Sequence, residues 1–167
     1  MNNKMSNDFN KALGNFITDF AGGGAVRHLA DEGYTISEIM DRLDYPMSKE
    51  KIGEIVWDHF LNQGVICLKK PSDTIEKVSY VKEQDAYGRI SMRRVVEKID
   101  AIGRDYIKVD FGKRRYQNEE AFFESLMKLD SKDREYVLDL PWPLEPVYHL
   151  KNDKITRIIK DMGDMNV

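Results

Sequence analysis

The stretch from Thr35 to Leu68, TISEIMDRLDYPMSKEKIGEIVWDHFLNQGVICL, constrains the fold more than any other part of the chain. Thr35 and Glu38 have the spacing of a capping box, in which the threonine oxygen and the glutamate each satisfy an orphan backbone N–H at a helix start. Ile36, Ile39, Met40 and Leu43 then recur on one helical face. Asp44-Tyr45-Pro46-Met47 reads as a turn, and Ser48 is a good N-cap for another helix. Ile52, Ile55, Val56, His59 and Phe60 repeat at helical spacing, and Trp57 and Leu61 widen the stripe. Ile52, Ile55, Val56, Trp57 and Phe60 are therefore expected in the core. Gly64 suits the left-handed position that ends a helix, and Val65-Ile66-Cys67-Leu68 reads as a strand.

Upstream, Phe9, Leu13, Phe16, Ile17 and Phe20 form a helical face, and Gly22-Gly23-Gly24 is expected to break the chain as a hinge. A phosphate-cradling loop is the other use of such a glycine run, but no strand leads into it and no Gly-Lys-Ser/Thr follows. A helix runs through Val26, Leu29 and Ala30 to Gly33. Downstream of the first strand, Lys69 to Thr74 is a loop, and Val78 to Val81 can return beside that strand. Three helices followed by a two-stranded ribbon resemble a winged-helix domain of the helix-turn-helix superfamily, over residues 25–82. The resemblance implies that a third helix, Ser48 to Asn62, is presented to a partner beside a wing at Lys69 to Val81.

The remainder reads as mixed. Met92, Val95, Val96, Ile99 and Ile102 suggest a helix ending at Gly103, and Tyr106 to Phe111 alternates as a strand. Gly112-Lys113 is expected to turn that strand back through Tyr116 as a hairpin. Asn118 caps a helix with Glu119 and Glu120 in its first turn, and Ser131 caps another that Pro141 stops. Val147–Leu150 and Ile155–Ile159 read as a closing hairpin joined by Lys151 to Lys154. The fold class is thus α+β. An N-terminal helix and glycine hinge (1–24) precede a winged-helix-like module (25–82), and a smaller mixed C-terminal part with β-hairpins (83–167) packs on it.

Charge separates along this plan. Residues 25–68 hold four Lys/Arg against eight Asp/Glu, whereas residues 69–128 hold 14 against 11. Within the acidic segment, Glu50, Glu54 and Asp58 fall on one stripe of the third helix, roughly opposite its apolar face. The basic segment carries Arg89, Arg93, Arg94 and Lys98, expected along one helix edge, and Lys113-Arg114-Arg115 across a turn. Hydrophobic content of 41% with 33% charged residues describes a folded chain rather than a disordered one. No run is apolar enough to span a membrane, no signal-peptide core is visible, and a single cysteine forms no internal disulfide, so a cytoplasmic protein is expected.

No motif carries catalysis. Asp110-Phe111-Gly112 matches the kinase metal-binding triplet in letters, but the glycine-rich and catalytic loops are missing, and it reads as a strand ending in glycine. His28, His59 and His149 are scattered, and His59 on an apolar face reads as a core histidine. Cys67 in an apolar strand reads as buried and inert. Leu140 to Pro146 reads as a stiff loop anchored by Trp142 rather than a polyproline ligand. No catalytic residue, metal ligand or cofactor is expected.

The expected function is that of a non-enzymatic winged-helix DNA-binding or DNA-linked regulatory protein. Double-stranded DNA would meet Ser48, Lys49 and Lys51 at the start of the third helix. Lys69, Lys70 and Lys77 on the wing would join them, with Arg89, Arg93 and Arg94 beyond. The alternative is an adaptor or inhibitor whose acidic face, Glu50, Glu54 and Asp58, meets a protein partner with a basic surface, including that of a nucleic-acid-binding enzyme.

Overall fold

The computed structural model describes residues 23–71, 74–100 and 103–163, so the helix expected over Phe9 to Phe20 lies outside the described residues. The chain divides into two compact units, Met1–Val56 and Trp57–Val167.

The first unit is helical where it is described. Helix α1 spans 23–31, α2 is Ile36–Arg42, and α3, Lys49–Gln63, begins here and continues into the second unit. Gly23 and Gly24 are already helical, so the expected break is not at these two residues. The capping box is complete: the Glu38 N–H donates to Thr35 Oγ1 at 3.2 Å and the Thr35 N–H donates to Glu38 Oε2 at 2.9 Å. Ser48 Oγ accepts from the Lys51 N–H at 3.2 Å, the N-cap expected for α3. Val26, Ala30, Ile36, Ile39, Ile52 and Val56 are buried. Ile55 is only half-buried. At about 100° per residue it lies at the rim of the stripe centred on Ile52 and Val56. Trp57 is buried as expected, and Phe60 is half-buried.

The second unit contains an antiparallel three-stranded sheet in the order β1 (Ile66–Cys67), β5 (Val147–Leu150), β4 (Tyr106–Val109). Opposed residues share a face, so register sorts this sheet cleanly. Ile66, His149, Ile107, Val147 and Val109 are buried on one side, while Cys67, Tyr148, Lys108 and Tyr106 lie on the other. A separate two-stranded ribbon pairs β2 (Thr74–Gln84) with β3 (Ile90–Asp100). Among the described residues four further helices follow: α4 Phe111–Gln117, α5 Glu119–Leu126, α6 Ser131–Asp139 and α7 Asp153–Asp161.

Several local expectations change here. Val78 to Val81 pair with β3, and the strand after α3 pairs instead with β5. The segment Met92 to Ile99 is strand, not helix. The turn that decides this is Asp85 to Arg89. Asp85 Oδ1 accepts from the N–H groups of Tyr87 (2.9 Å) and Arg89 (2.8 Å), and Gly88 takes a φ of +77°. The hairpin expected through Gly112 to Tyr116 is helix α4, and Ile155 to Ile159 lie in helix α7. Asn152 caps α7 by accepting from the Ile155 N–H at 2.9 Å, so Lys151 to Lys154 lead into a helix instead of turning a hairpin. Asn118 caps α5 as expected, whereas Asp130, not Ser131, caps α6.

Trp142 anchors its loop as expected. Its ring centroid lies 4.9 Å from Phe111, 5.2 Å from Trp57 and 6.0 Å from Tyr136. Asp110-Phe111-Gly112 therefore opens a helix whose phenylalanine packs on Trp142. Beside them, His149 Nδ1 donates to the Leu150 carbonyl (2.7 Å), which leaves Nε2 to accept from the Tyr136 hydroxyl (2.7 Å). Burial lowers the His149 pKa and raises that of Tyr136, consistent with a neutral pair. Lys154 lies over the Tyr136 ring at 3.9 Å, and Arg157 makes a two-bond fork to buried Asp133 at 2.7 and 2.9 Å. These contacts tie α6, β5 and α7 together.

Candidate nucleic-acid interface

The β2–β3 ribbon is exposed on both faces: none of its described side chains from Glu76 to Gln84 and Ile90 to Asp100 is buried. An isolated two-stranded ribbon is marginally stable in water, so such exposure over 11-residue strands is unusual for a purely structural element. Register assigns its side chains. One face holds Val78, Tyr80 and Lys82 opposite Val96, Arg94 and Met92, with Glu76 opposite Lys98. The other holds Lys77, Ser79, Val81 and Glu83 opposite Glu97, Val95, Arg93 and Ser91.

The expected helix edge of Arg89, Arg93, Arg94 and Lys98 is thereby replaced. Arg94 and Lys98 share one face, Arg93 points to the other, and Arg89 sits at the tip. The period of two separates neighbours that a helix would have aligned. Arg93 is paired with Glu83, while no ion pair engages Lys82 or Arg94 among the described residues. Tyr80 and Tyr87 are exposed at 55% and 89%, so aromatic and cationic groups alternate along the arm. Tyr80 directly opposes Arg94. A helical reading of Met92 to Ile102 hides the partner strand of β2, and with it the pairing of Tyr80 with Arg94. The Asp-Ala-Tyr-Gly turn flanked by β-branched residues was the available signal.

The remaining expected residues lie on other elements. Lys69 and Lys70 are exposed beyond β1, and Lys77 is half-buried. Ser48 and Lys51 are exposed at the start of α3, Lys49 is half-buried, and Lys51 lies 4.0 Å from Glu54. Glu50, Glu54 and Asp58 are all exposed. Lys113, Arg114 and Arg115 lie on α4, not across a turn, and Arg115 stacks over Phe123 at 5.6 Å. His59 is buried, with Nε2 3.2 Å from Gln63 Nε2. Cys67 is half-exposed instead of buried, although burial still pushes its thiol pKa up. Among the described residues no three His, Cys, Asp or Glu side chains gather as metal ligands, and no helix is long and apolar enough to cross a membrane. In comparisons with family models, curated proteins and solved structures, nothing matches this chain.

Proposed function

We propose that this protein is a non-enzymatic, double-stranded-DNA-binding protein with a winged-helix-like N-terminal part, and that the β2–β3 ribbon makes its principal contact. The observation that supports this reading is the ribbon itself, an exposed arm on which Lys82, Arg89, Arg94 and Lys98 alternate with Tyr80 and Tyr87. Eleven residues at about 3.3 Å each extend roughly 36 Å. The major groove admits a two-stranded ribbon of this kind. Phosphate contacts supply most of the sequence-independent affinity, and each makes log K fall by about 0.9 per decade of salt. Ser48, Lys49 and Lys51 on α3, with Lys69, Lys70 and Lys77, add further contacts under the same reading.

A mobility-shift titration against random duplex at several salt concentrations tests it. The double change Lys82→Gln and Arg94→Gln is expected to weaken binding on every sequence and to reduce the salt slope by about two. Undetectable binding of the unchanged protein at low salt would end the DNA reading. A second reading, a basic protein partner, is favoured by one observation. Glu50, Glu54 and Asp58 are exposed together on one stripe of α3.

A further inference from the structure

We infer that the root of the β2–β3 ribbon is a binding site for a 5′-nucleotide, a planar base carrying a phosphate. The chain leaves β1 through Lys70 and returns to β4 through Arg104 and Asp105, and these two crossings line a cavity of about 440 Å³. Its remaining surface includes Tyr106, Lys108 and Tyr148, from the side of the three-stranded sheet that also carries Cys67. The volume falls within the range of about 300–1,000 Å³ typical of small-molecule sites.

Charge selects an anion. Lys70, Arg104 and Lys108 face a single carboxylate, Asp105, and Lys151 Nζ already lies 3.5 Å from Asp105 Oδ2. No ion pair engages Lys70, Arg104 or Lys108 among the described residues. Three uncompensated cations suit a phosphate group better than a lone carboxylate, and a guanidinium can grip two phosphate oxygens at once. The aromatic pair narrows the class further. The Tyr106 hydroxyl donates to the Gly64 carbonyl at 2.7 Å, which pins that ring in the cavity wall. Tyr148 stands directly opposite Lys108 across β4 and β5, placing an aromatic ring next to a cation. Tyrosine rings offer a surface on which a base stacks, a feature that an inorganic anion does not use. The site shares Lys70 with the proposed duplex surface, but none of its residues belongs to β2 or β3, so the ribbon variants leave it intact.

The ligand has two sources with this chemistry, a free mononucleotide and the phosphorylated end of a strand. Isothermal titration of the full chain with each of the four 5′-mononucleotides, inorganic phosphate and a 5′-phosphorylated tetranucleotide separates them. At least one mononucleotide is expected to bind more tightly than phosphate. Arg104→Gln and Lys108→Gln should each weaken it by roughly tenfold. Both side chains are exposed, so these variants should keep their fold, which a far-ultraviolet melt checks. Tyr148→Leu should weaken the nucleotide and leave phosphate unchanged. A tetranucleotide that binds as tightly or more tightly assigns the site to a strand end, and weaker binding assigns it to the free nucleotide; either supports the site. No binding at millimolar nucleotide overturns the inference, as does binding indifferent to the double change Arg104→Gln and Lys108→Gln. Phosphate matching every nucleotide does so too. The Lys82→Gln and Arg94→Gln variant, which tests duplex binding, should leave nucleotide affinity unchanged.

Discussion

Ile52 is fully buried in α3, whereas Ile55, one turn away, is half-exposed. Truncation of Ile52 to alanine should therefore cost about 2–5 kcal/mol, and the same change at Ile55 distinctly less. Chemical denaturation of the two variants checks the order, and equal losses would mean that the stripe is centred elsewhere. His149 gives a second residue-level prediction. Its folded pKa is lowered, chiefly by burial, so the folded state binds its proton less readily than the unfolded chain does. The stabilising contribution is complete above the ordinary histidine range near about 6.5 and is lost as pH falls through that range toward the lower folded value. Melting temperature should drop on acidification over that window, and His149→Phe should flatten the drop even if the variant is less stable overall. An unchanged pH slope in the variant would assign the acid sensitivity to other groups.

Among the elements, α4 packs its backbone directly against the Trp142 loop. Gly112 sits in its first turn, and a Cβ there would meet the Pro143 carbonyl and the Trp142 carbonyl, both backbone atoms that cannot rotate away. Glycine to alanine inside a helix ordinarily stabilises by about 0.5–1 kcal/mol. At Gly112 the sign should reverse, with a loss of about 1–3 kcal/mol from forcing the Trp142 loop off Phe111. A thermal melt of Gly112→Ala that matches or exceeds the unchanged protein would refute the close approach. Elements also show where periodicity misleads. Met92, Val95, Val96 and Ile99 satisfy a helical spacing, yet their cross-strand partners Lys82, Ser79, Val78 and Ile75 fix them in a strand. Conversely, Ile155, Ile158, Ile159 and Met162 are buried at i, i+3, i+4 and i+7, a helical signature that a strand reading of Ile155 to Ile159 passes over.

For the molecule as a whole, function turns on which charge meets the partner. The acidic stripe of α3 and the ribbon cations Lys82 and Arg94 favour partners of opposite sign, and one variant separates them. If the protein binds DNA, Glu54→Gln with Asp58→Gln should leave duplex affinity equal or higher, because those carboxylates only repel phosphate. If the partner is instead a basic protein, the same double change should weaken the complex and slow its association. Mobility shift on duplex and surface-plasmon kinetics on a candidate partner read the two signs. Tighter protein binding after neutralisation would dismiss the acidic face as a site.

The sequence alone determined the features whose interactions are local. The Thr35–Glu38 capping box, the Ser48 cap and the helices they start depend on groups three or four residues apart, and so did the Asn118 cap. The anchoring of Trp142 was legible too, because a tryptophan between two prolines has little to do except bury its ring. Tertiary structure decided the strands and with them the candidate sites. The strand at Ile66 and Cys67 is short and finds its partner in Val147 to Leu150, a pairing that no local pattern encodes. The gathering of Lys70 and Arg104 around one cavity with Lys108 and Tyr148 follows from that long-range pairing, whereas Arg94 comes beside Tyr80 through the hairpin closed at Asp85 to Arg89. Backbone hydrogen bonds within a helix close over four residues, whereas those of a sheet join segments anywhere in the chain, and only the folded chain selects which segments meet.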